Sequence, residues 1–270
     1  MSPQGLITTA EVCRIAGVGP TAVKRWADQG LLRCVKTGGG HRRFERAQVE
    51  ALVRAGASES SEAWNDWIGA LLDDNGIHAT EGRLMSERSR LGSWHQVAAR
   101  MGDLLAAVGR RWVEGTLTIG EEHLITARLQ RALARVAESL PLAADAPRCL
   151  LATAEGDEHT GGLSLVELCL REAGWRTLWA GARMPAEEIA AEVRRLKPGM
   201  VALSASATAD PTALAHEAAV VGQTCRALEV ALALGGAGAW PDPPPYGSRW
   251  RGLESFSGFA GFSRQQRATR

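Results

Sequence analysis

Apolar residues recur every three or four positions through the middle of the chain, over residues 62–143. The pattern is clearest at Val97, Met101 and Leu104. This spacing is that of an α-helix with one buried face. Polar and glycine-bearing connections divide the region into four such segments, so the pattern predicts an antiparallel four-helix bundle.

The pattern changes in residues 144–270, where short apolar runs alternate with amphipathic segments. Strands and helices that alternate at this length predict an α/β domain of the Rossmann type, with a parallel sheet in flavodoxin-like order. Residues 240–247 contain four prolines. Because proline has no N–H for a helix, this segment is expected to be irregular. The predicted strands are residues 149–152, 175–180, 200–204, 229–234 and 248–251, with a last helix over 254–262.

Residues 1–56 predict a small domain with a charged partner. A threonine-capped helix to about Ala16, a turn containing Gly17 and Pro20, and a second helix over residues 21–29 form a helix-turn-helix. The first 55 positions carry nine lysine and arginine residues against four acids, although the net charge of the whole chain is only +1. This asymmetry indicates an anionic partner for the N-terminal domain.

A basic ribbon with a glycine tip follows over residues 33–44. Its Gly-Gly-His-Arg-Arg-Phe run resembles the wing of winged helix-turn-helix domains of the MerR and excisionase type. The resemblance implies operator DNA as the partner, held mostly through phosphates and therefore weakened by salt. The alternative is a solvated basic hairpin on an adaptor module. The residues expected to contact DNA are Thr21, Lys24, Arg25, His41, Arg42 and Arg43.

A short linker is expected between this domain and the bundle. Residues 57–61 are small or polar and show no helical or strand periodicity. Such a composition marks a domain boundary that can flex.

Composition sets wider bounds on the protein. With 270 residues, of which 45% are hydrophobic and 23% charged, the chain suits two or three globular domains. Five cysteines without a Cys-x-x-Cys pair predict reduced thiols. Neither a membrane-spanning run nor a signal-peptide pattern is found, so a cytoplasmic protein with no membrane partner is expected.

One loop carries candidate metal chemistry. Asp157, His159 and Gly162 lie between an apolar run and a helical segment, at the end of a predicted strand where open α/β sheets bind ligands. A histidine there can offer one ring nitrogen to a metal while the aspartate accepts from the other. Glycine allows close approach of a ligand. The alternative is that His159 is simply a polar loop residue.

The run Asp157-x-His159-x-x-Gly162 resembles the cobalamin-binding signature of the methionine-synthase type. Two later segments, residues 201–206 and 234–239, fall where that family has its other contacts. The resemblance implies that His159 replaces the cofactor's benzimidazole as lower cobalt ligand and that Asp157 orients it. It also implies a slot for the displaced nucleotide tail, lined by Ser204, Ser206, Gly235 and Gly236.

A second constellation lies in the bundle, where Trp112 is followed ten and eleven residues later by Glu122 and His123. A four-helix bundle before a cobalamin signature resembles the cap domain of CarH/LitR-type photoreceptor regulators, whose hallmark is Trp, nine residues, then Glu-His-Glu. The resemblance implies that Trp112 covers the upper face of the corrin beside a 5′-deoxyadenosyl group, with Glu122 and His123 close by. The alternative is a core tryptophan and two surface residues.

The chain departs from that pattern at two positions. Leu124 replaces the last acid, and Val113 stands where some members have a histidine that takes the upper cobalt position after illumination. His123 or water would have to serve instead, or the lit state differs.

Three functions remain open at this point. The first, implied by the resemblance, is a transcriptional regulator and not an enzyme, with adenosylcobalamin as its chromophore. The protein would form a homotetramer in the dark, and light would change both this oligomeric state and the affinity for operator DNA. The second is a regulator that senses cobalamin without photochemistry. The third is a corrinoid methyl-transfer protein, which would leave the helix-turn-helix without a role.

Overall fold

A computed structural model of the chain describes residues 6–16, 23–24, 26–27, 32–36, 40–73, 76–249 and 255–268, with the backbone alone for 51–63 and 255. Contacts along the chain define two compact units, residues 1–67 and 68–270.

The first unit contains a three-stranded antiparallel sheet. β1 (Leu6–Thr8) pairs with β3 (Arg42–Glu45), which also pairs with β2 (Cys34–Lys36). The β2–β3 pairing confirms the ribbon predicted over residues 33–44. Between β1 and β2, α1 (Thr9–Ala16) begins at a capping box in which the side chains of Thr8 and Glu11 each accept the other's backbone N–H. The buried core consists of Ile7, Val12, Val23, Leu32, Phe44 and Val49.

A long helix, α2 (Arg46–Leu72), runs through the predicted linker. The structure therefore differs from the irregular backbone expected over residues 57–61. Alanine, glutamate and serine are tolerated in helices, and the one nearby glycine, Gly56, costs only about 1 kcal/mol relative to alanine. The absence of a helical hydrophobic pattern is thus weaker evidence against a helix than the presence of proline. The predicted domain limits themselves stay a prediction.

The second unit begins with the helical bundle. Its helices are α3 (Gly76–Leu91), α4 (Trp94–Val113) and α5 (Ile119–Ser139), joined by the end of α2. Arg128 of α5 donates to the backbone carbonyls of Leu71 and Asp73, at 2.8 and 2.6 Å, and so ties the end of α2 to α5. The buried stripes of α4 and α5 contain Val97, Met101, Leu104, Ile125, Leu129 and Leu133.

The α/β part of the second unit follows the predicted alternation. Its elements are β4 (Arg148–Thr153), α6 (Gly161–Glu172), β5 (Arg176–Gly181), α7 (Ala186–Leu196), β6 (Met200–Ala205), α8 (Pro211–Ala227), β7 (Ala231–Gly236), β8 (Ser248–Arg249) and α9 (Ser255–Ala268). The strands are parallel in the order β5-β4-β6-β7-β8, which confirms the flavodoxin-like prediction. The order reverses between β4 and β6, and ligands bind at such a switch point.

The C-terminal part differs in detail from the prediction. The proline-rich residues 240–247 are irregular, as expected, and the Trp240 indole N–H donates to the Gly235 carbonyl at 2.8 Å. The described part of the last strand is Ser248–Arg249, and residues 250–254 lie outside the described residues; α9 continues to Ala268 instead of ending near residue 262.

The bundle rests directly on the α/β part through α6. The Glu172 carboxylate at the end of α6 accepts the backbone N–H groups of Trp94 and His95, at 2.8 and 3.3 Å. The Arg171 side chain donates to the Ala137 carbonyl at 2.8 Å. Helices α4 and α5 are therefore fixed to the helix that starts immediately after the His159 loop. Within the described ranges, every helix is too short or too polar to span a membrane.

Candidate cofactor site

The predicted lower-face residues meet at one edge of the sheet. Asp157 and His159 lie in the loop after β4, Ser204 and Ser206 lie at the end of β6, and Gly235 and Gly236 end β7. Because β4, β6 and β7 are adjacent and parallel, their carboxyl ends share this edge. Gly162 joins them from the first turn of α6: a Cβ on it would lie 3.3 Å from Ser204 Oγ.

Asp157 orients His159. Its Oδ1 lies 2.8 Å from His159 Nδ1 and accepts the backbone N–H of the same residue at 2.9 Å. The carboxylate is 1% exposed, whereas the imidazole is 69% exposed. Since an ionised carboxylate can only accept, Nδ1 donates, and in the neutral imidazole Nε2 then keeps its lone pair. The arrangement presents one free imidazole nitrogen to a ligand above the loop.

Asp157 is held as an anion. Burial alone would raise its pKa, but the N–H groups of Ser206 and His159 outweigh burial and hold the pKa of Asp157 below its ordinary value. The Ser206 backbone N–H donates to Oδ2, and the Asp157 carbonyl accepts from Thr153 Oγ1 at 2.5 Å. The hydroxyl of Thr153, missed in the sequence, also accepts the Arg183 N–H at 3.1 Å. A threonine at the end of a strand carries no signal that predicts these contacts.

A cavity of about 290 Å³ opens between the start of α6 and the ends of β6 and β7. Predicted residues Gly162, Ser204, Gly235 and Gly236 line it. Gly236 has a φ of +85°, and a Cβ on it would collide with the Ala205 carbonyl oxygen, so only glycine suits this position. Ser204, Gly235 and Gly236, which were expected to line a slot for the nucleotide tail, therefore lie on one cavity, and its role as that slot stays a prediction.

Other residues that line the cavity were not identified from the sequence. Phe256 and Phe259 of α9 and Leu105 of α4 line it. The predicted helix over residues 254–262 contained both phenylalanines, but no sequence signal connected that helix with the ends of β6 and β7. The two aromatic side chains make the cavity predominantly apolar.

Of the predicted upper-face residues, Trp112 lies in the last turn of α4, and Glu122 and His123 lie near the start of α5. Trp112 is 47% exposed, which contradicts the alternative of a core tryptophan. His123 Nδ1 lies 2.6 Å from Glu122 Oε2, with the imidazole 75% exposed. Thr126 Oγ1 donates to the other Glu122 oxygen at 2.9 Å. Val113, 78% exposed, offers no ligand atom.

Helix geometry relates these residues to the loop below. A Cβ on Gly161 would lie 3.3 Å from Leu105 Cδ1 and 3.5 Å from Gln130 Nε2. Trp112 is seven residues after Leu105, and His123 is seven before Gln130. Seven residues are two turns, so each pair shares one side of its helix with a separation of ~10 Å. Trp112 and His123 therefore project from the sides of α4 and α5 that face the start of α6.

The predicted DNA-contacting residues belong to the first unit. Lys24 and His41 are exposed, and Arg42 and Arg43 of β3 are partly exposed. Thr21, Arg25 and residues 37–39 of the ribbon lie outside the described residues. The described basic side chains are thus available at the surface of this unit.

Comparisons with known proteins agree with the separation of the N-terminal unit from the α/β part of the second unit. Residues 6–57 match the family described as a helix-turn-helix domain, and residues 147–245 match the B12 binding domain. The HTH-type transcriptional repressor CarA of Myxococcus xanthus is 26% identical over 231 residues, covering 72% of this chain and 74% of CarA. CarH of the same organism, also an HTH-type transcriptional repressor, is 36% identical over 108 residues, 40% of this chain and 36% of CarH.

A solved structure is similar in fold. The monomethylamine corrinoid protein of Methanosarcina barkeri superposes with a TM-score of 0.56 at 16% identity, covering 76% of this chain and 98% of that protein. At this identity the likeness concerns the fold alone.

The chain thus joins a helix-turn-helix domain to a B12 binding domain. Within that class, the comparisons support a CarH-type cobalamin-binding transcriptional regulator, as the sequence motifs had indicated.

Proposed function

We propose that the chain is a light-responsive repressor that holds adenosylcobalamin between its bundle and its α/β part. The observation that carries the proposal is the Asp157–His159 pair, with its 2.8 Å contact and its exposed imidazole at the switch point of the sheet. A histidine whose second nitrogen is fixed by a carboxylate is a typical metal ligand.

The residues of the site fit cobalamin in shape and chemistry. His159 Nε2 would bind the cobalt from below, and the cavity lined by Gly162, Ser204 and Gly236 would take the nucleotide tail. A Cβ on Gly162 would lie 3.3 Å from Ser204 Oγ, and one on Gly236 would collide with the Ala205 carbonyl oxygen, so both positions beside this cavity favour glycine. Trp112 would cover the upper side, with Glu122 and His123 beside it.

Light sensitivity would come from the cofactor and the response from the chain. Adenosylcobalamin, when bound, supplies a cobalt–carbon bond that visible light can break. Trp112 and His123 stand on the sides of α4 and α5 that face α6, and α6 is fixed to both helices. A change in what these two residues contact would therefore bias the packing of the bundle on α6.

The output would be a change in assembly and in DNA binding. A dark homotetramer would bring several helix-turn-helix domains to one operator, and avidity would strengthen repression. Among the described residues, the contacts with operator DNA would come from Lys24, His41, Arg42 and Arg43. The resemblance adds Thr21 and Arg25. Loss of the assembly would separate these domains and weaken binding.

A second candidate is a regulator that senses cobalamin without photochemistry. It is favoured by Val113, which replaces a histidine that some relatives of this type use as an upper ligand after illumination. In that case the chain would bind the cofactor and DNA equally well in darkness and in light.

Size-exclusion chromatography of the full chain with adenosylcobalamin tests the two candidates. We expect a larger assembly in darkness and a smaller one after green light, with a parallel loss of operator binding. Equal elution volumes and equal operator binding before and after light would favour the second candidate.

Arg42→Ala should weaken operator binding with cobalamin affinity unchanged, because its guanidinium lies in the first unit.

A further inference from the structure

One buried carboxyl group takes no part in the proposed cofactor contacts. Glu217 of α8 is 1% exposed, although glutamate is rarely buried without a partner. Its Oε2 accepts the backbone N–H of Glu155 at 3.1 Å. In the described part of the chain, no hydrogen-bond partner reaches Oε1, which is also buried. An ionised carboxylate here would have one oxygen with neither solvent nor donor, so the site favours the neutral acid.

The surrounding charges favour the same protonation state. Burial is the main cause that raises the pKa of Glu217; the Glu155 N–H lowers it, and the negative charges of Glu155 and Asp157 raise it further, to about 7. Thus the group can change its charge near neutral pH, where few carboxyl groups do.

The nearby basic groups on the packed helices have other partners. His216, next to Glu217 in sequence, pairs with Glu187 of α7 at 3.3 Å. On α7, Arg194 donates to Thr224 Oγ1 at 3.1 Å and Arg195 pairs with Glu192. The charged groups that act on Glu217 are therefore the two loop acids.

Short contacts connect Glu217 with His159. The Glu155 N–H that Glu217 accepts belongs to the turn in which the Asp157 N–H donates to the Ala154 carbonyl at 2.9 Å. Asp157 in turn holds both the backbone and the ring of His159. A displacement of Glu155 would therefore reach the imidazole through one turn of backbone.

We propose that Glu217 is a positioning residue for His159: as a neutral acid it holds the loop of residues 154–159 through the backbone of Glu155, and its ionisation loosens that hold. The inference rests on the proposed role of His159 as a cobalamin ligand. Ionised Glu217 lies beside two carboxylates on the loop, and like charges repel. The loop with its imidazole should therefore bind less firmly as the pH rises through neutrality.

Absorption spectra and equilibrium dialysis of the full chain with adenosylcobalamin in darkness test this inference. For the wild type, the histidine-bound spectrum should decrease and the dissociation constant should rise about three- to tenfold between about pH 6 and pH 8.5. Glu217→Gln keeps an acceptor for the Glu155 N–H but cannot ionise, so it should remove this change. Glu188→Gln, an exposed acid of α7, serves as the matched control and should follow the wild type.

The outcomes separate the inference from the proposed function. Cobalamin binding with the same pH profile in the wild type and in Glu217→Gln would overturn the inference alone, whereas no binding at any pH would overturn both. If circular dichroism shows that Glu217→Gln is unfolded, Glu155→Gln replaces it. This exposed substitution removes one of the repelling charges, so the midpoint of the pH profile should move to lower pH; an unmoved midpoint would overturn the inference.

Discussion

Two histidine–carboxylate pairs of the second unit, Asp157–His159 and Glu122–His123, look alike but are held very differently. Below, Asp157 lies 2.8 Å from the ring of His159; above, Glu122 lies 2.6 Å from the ring of His123. Asp157 is 1% exposed and is fixed by backbone N–H groups, whereas Glu122 is 26% exposed and its other described contact is the Thr126 hydroxyl.

The difference teaches which pair can serve as a fixed ligand. A buried carboxylate with backbone donors holds one position, because leaving those donors unpaired costs about 1–3 kcal/mol each. A partly exposed carboxylate near the start of a helix exchanges its contacts with water at little cost. The lower pair is therefore suited to permanent binding, and the upper pair to contacts that change with the cofactor's state.

The largest effect is expected from removing the lower imidazole. His159→Ala should weaken cobalamin binding on the order of 100-fold, since it removes the proposed cobalt ligand. Equilibrium dialysis and the loss of the histidine-bound spectrum measure this effect. His216→Ala, which removes an exposed histidine of α8, is the matched control. An unchanged spectrum would exclude His159 from the cobalt.

Removing the charge that orients the lower imidazole should have the next largest effect. Asp157→Asn keeps the size but weakens the contact with Nδ1, so cobalamin affinity should fall about 10- to 100-fold. The exposed neighbour Glu158 pairs with Arg183 at 2.6 Å, and Glu158→Gln should change affinity little. Equal losses in the two variants would mean that the loop responds to net charge and not to the orientation of His159.

The equivalent change in the upper pair should be much smaller. Glu122→Gln should alter dark cobalamin affinity by less than about threefold, because an exposed ion pair contributes only up to about 1 kcal/mol. Its effect should appear after illumination, in the spectrum and in the elution volume. A loss as large as that of Asp157→Asn would show that the two pairs are equivalent and would break the comparison.

The smallest effect concerns acid stability. The pKa of Asp157 is lowered in the folded chain, so its contribution to stability is present above the ordinary carboxyl range and is lost as the pH falls through the folded value. Urea unfolding of the cofactor-free chain should therefore show the wild type more stable than Asp157→Asn near pH 7, with the gap closing below about pH 4. A constant gap across this range would contradict the electrostatic account.

Local patterns predicted much of the fold. Three- and four-residue spacing predicted α4 and α5, and the alternation of strands with helices predicted the order of the parallel sheet. The capping box of Thr118 and Glu121 at the start of α5 shows why: its partners are three residues apart in the chain. Such contacts are decided by neighbours in sequence.

Distant contacts were not predictable in this way. Ser93 occupies the N-cap position of α4, but its side chain makes no capping bond, and the Glu172 carboxylate from α6 accepts the first N–H groups instead. The helix through the expected linker, the aromatic wall from α9 and the burial of Glu217 were likewise not seen in advance.

The sequence by itself determined the kinds of element and the residue types that suit a metal, a narrow slot and a DNA backbone, because periodicity and side-chain chemistry are local properties. Tertiary structure alone decided which of those residues meet, how deeply Asp157 and Glu217 are buried, and which histidine is rigid. The reason is physical: burial and the removal of solvent depend on chain segments that are far apart in sequence, and they set both the charge of a carboxyl group and the freedom of the imidazole beside it.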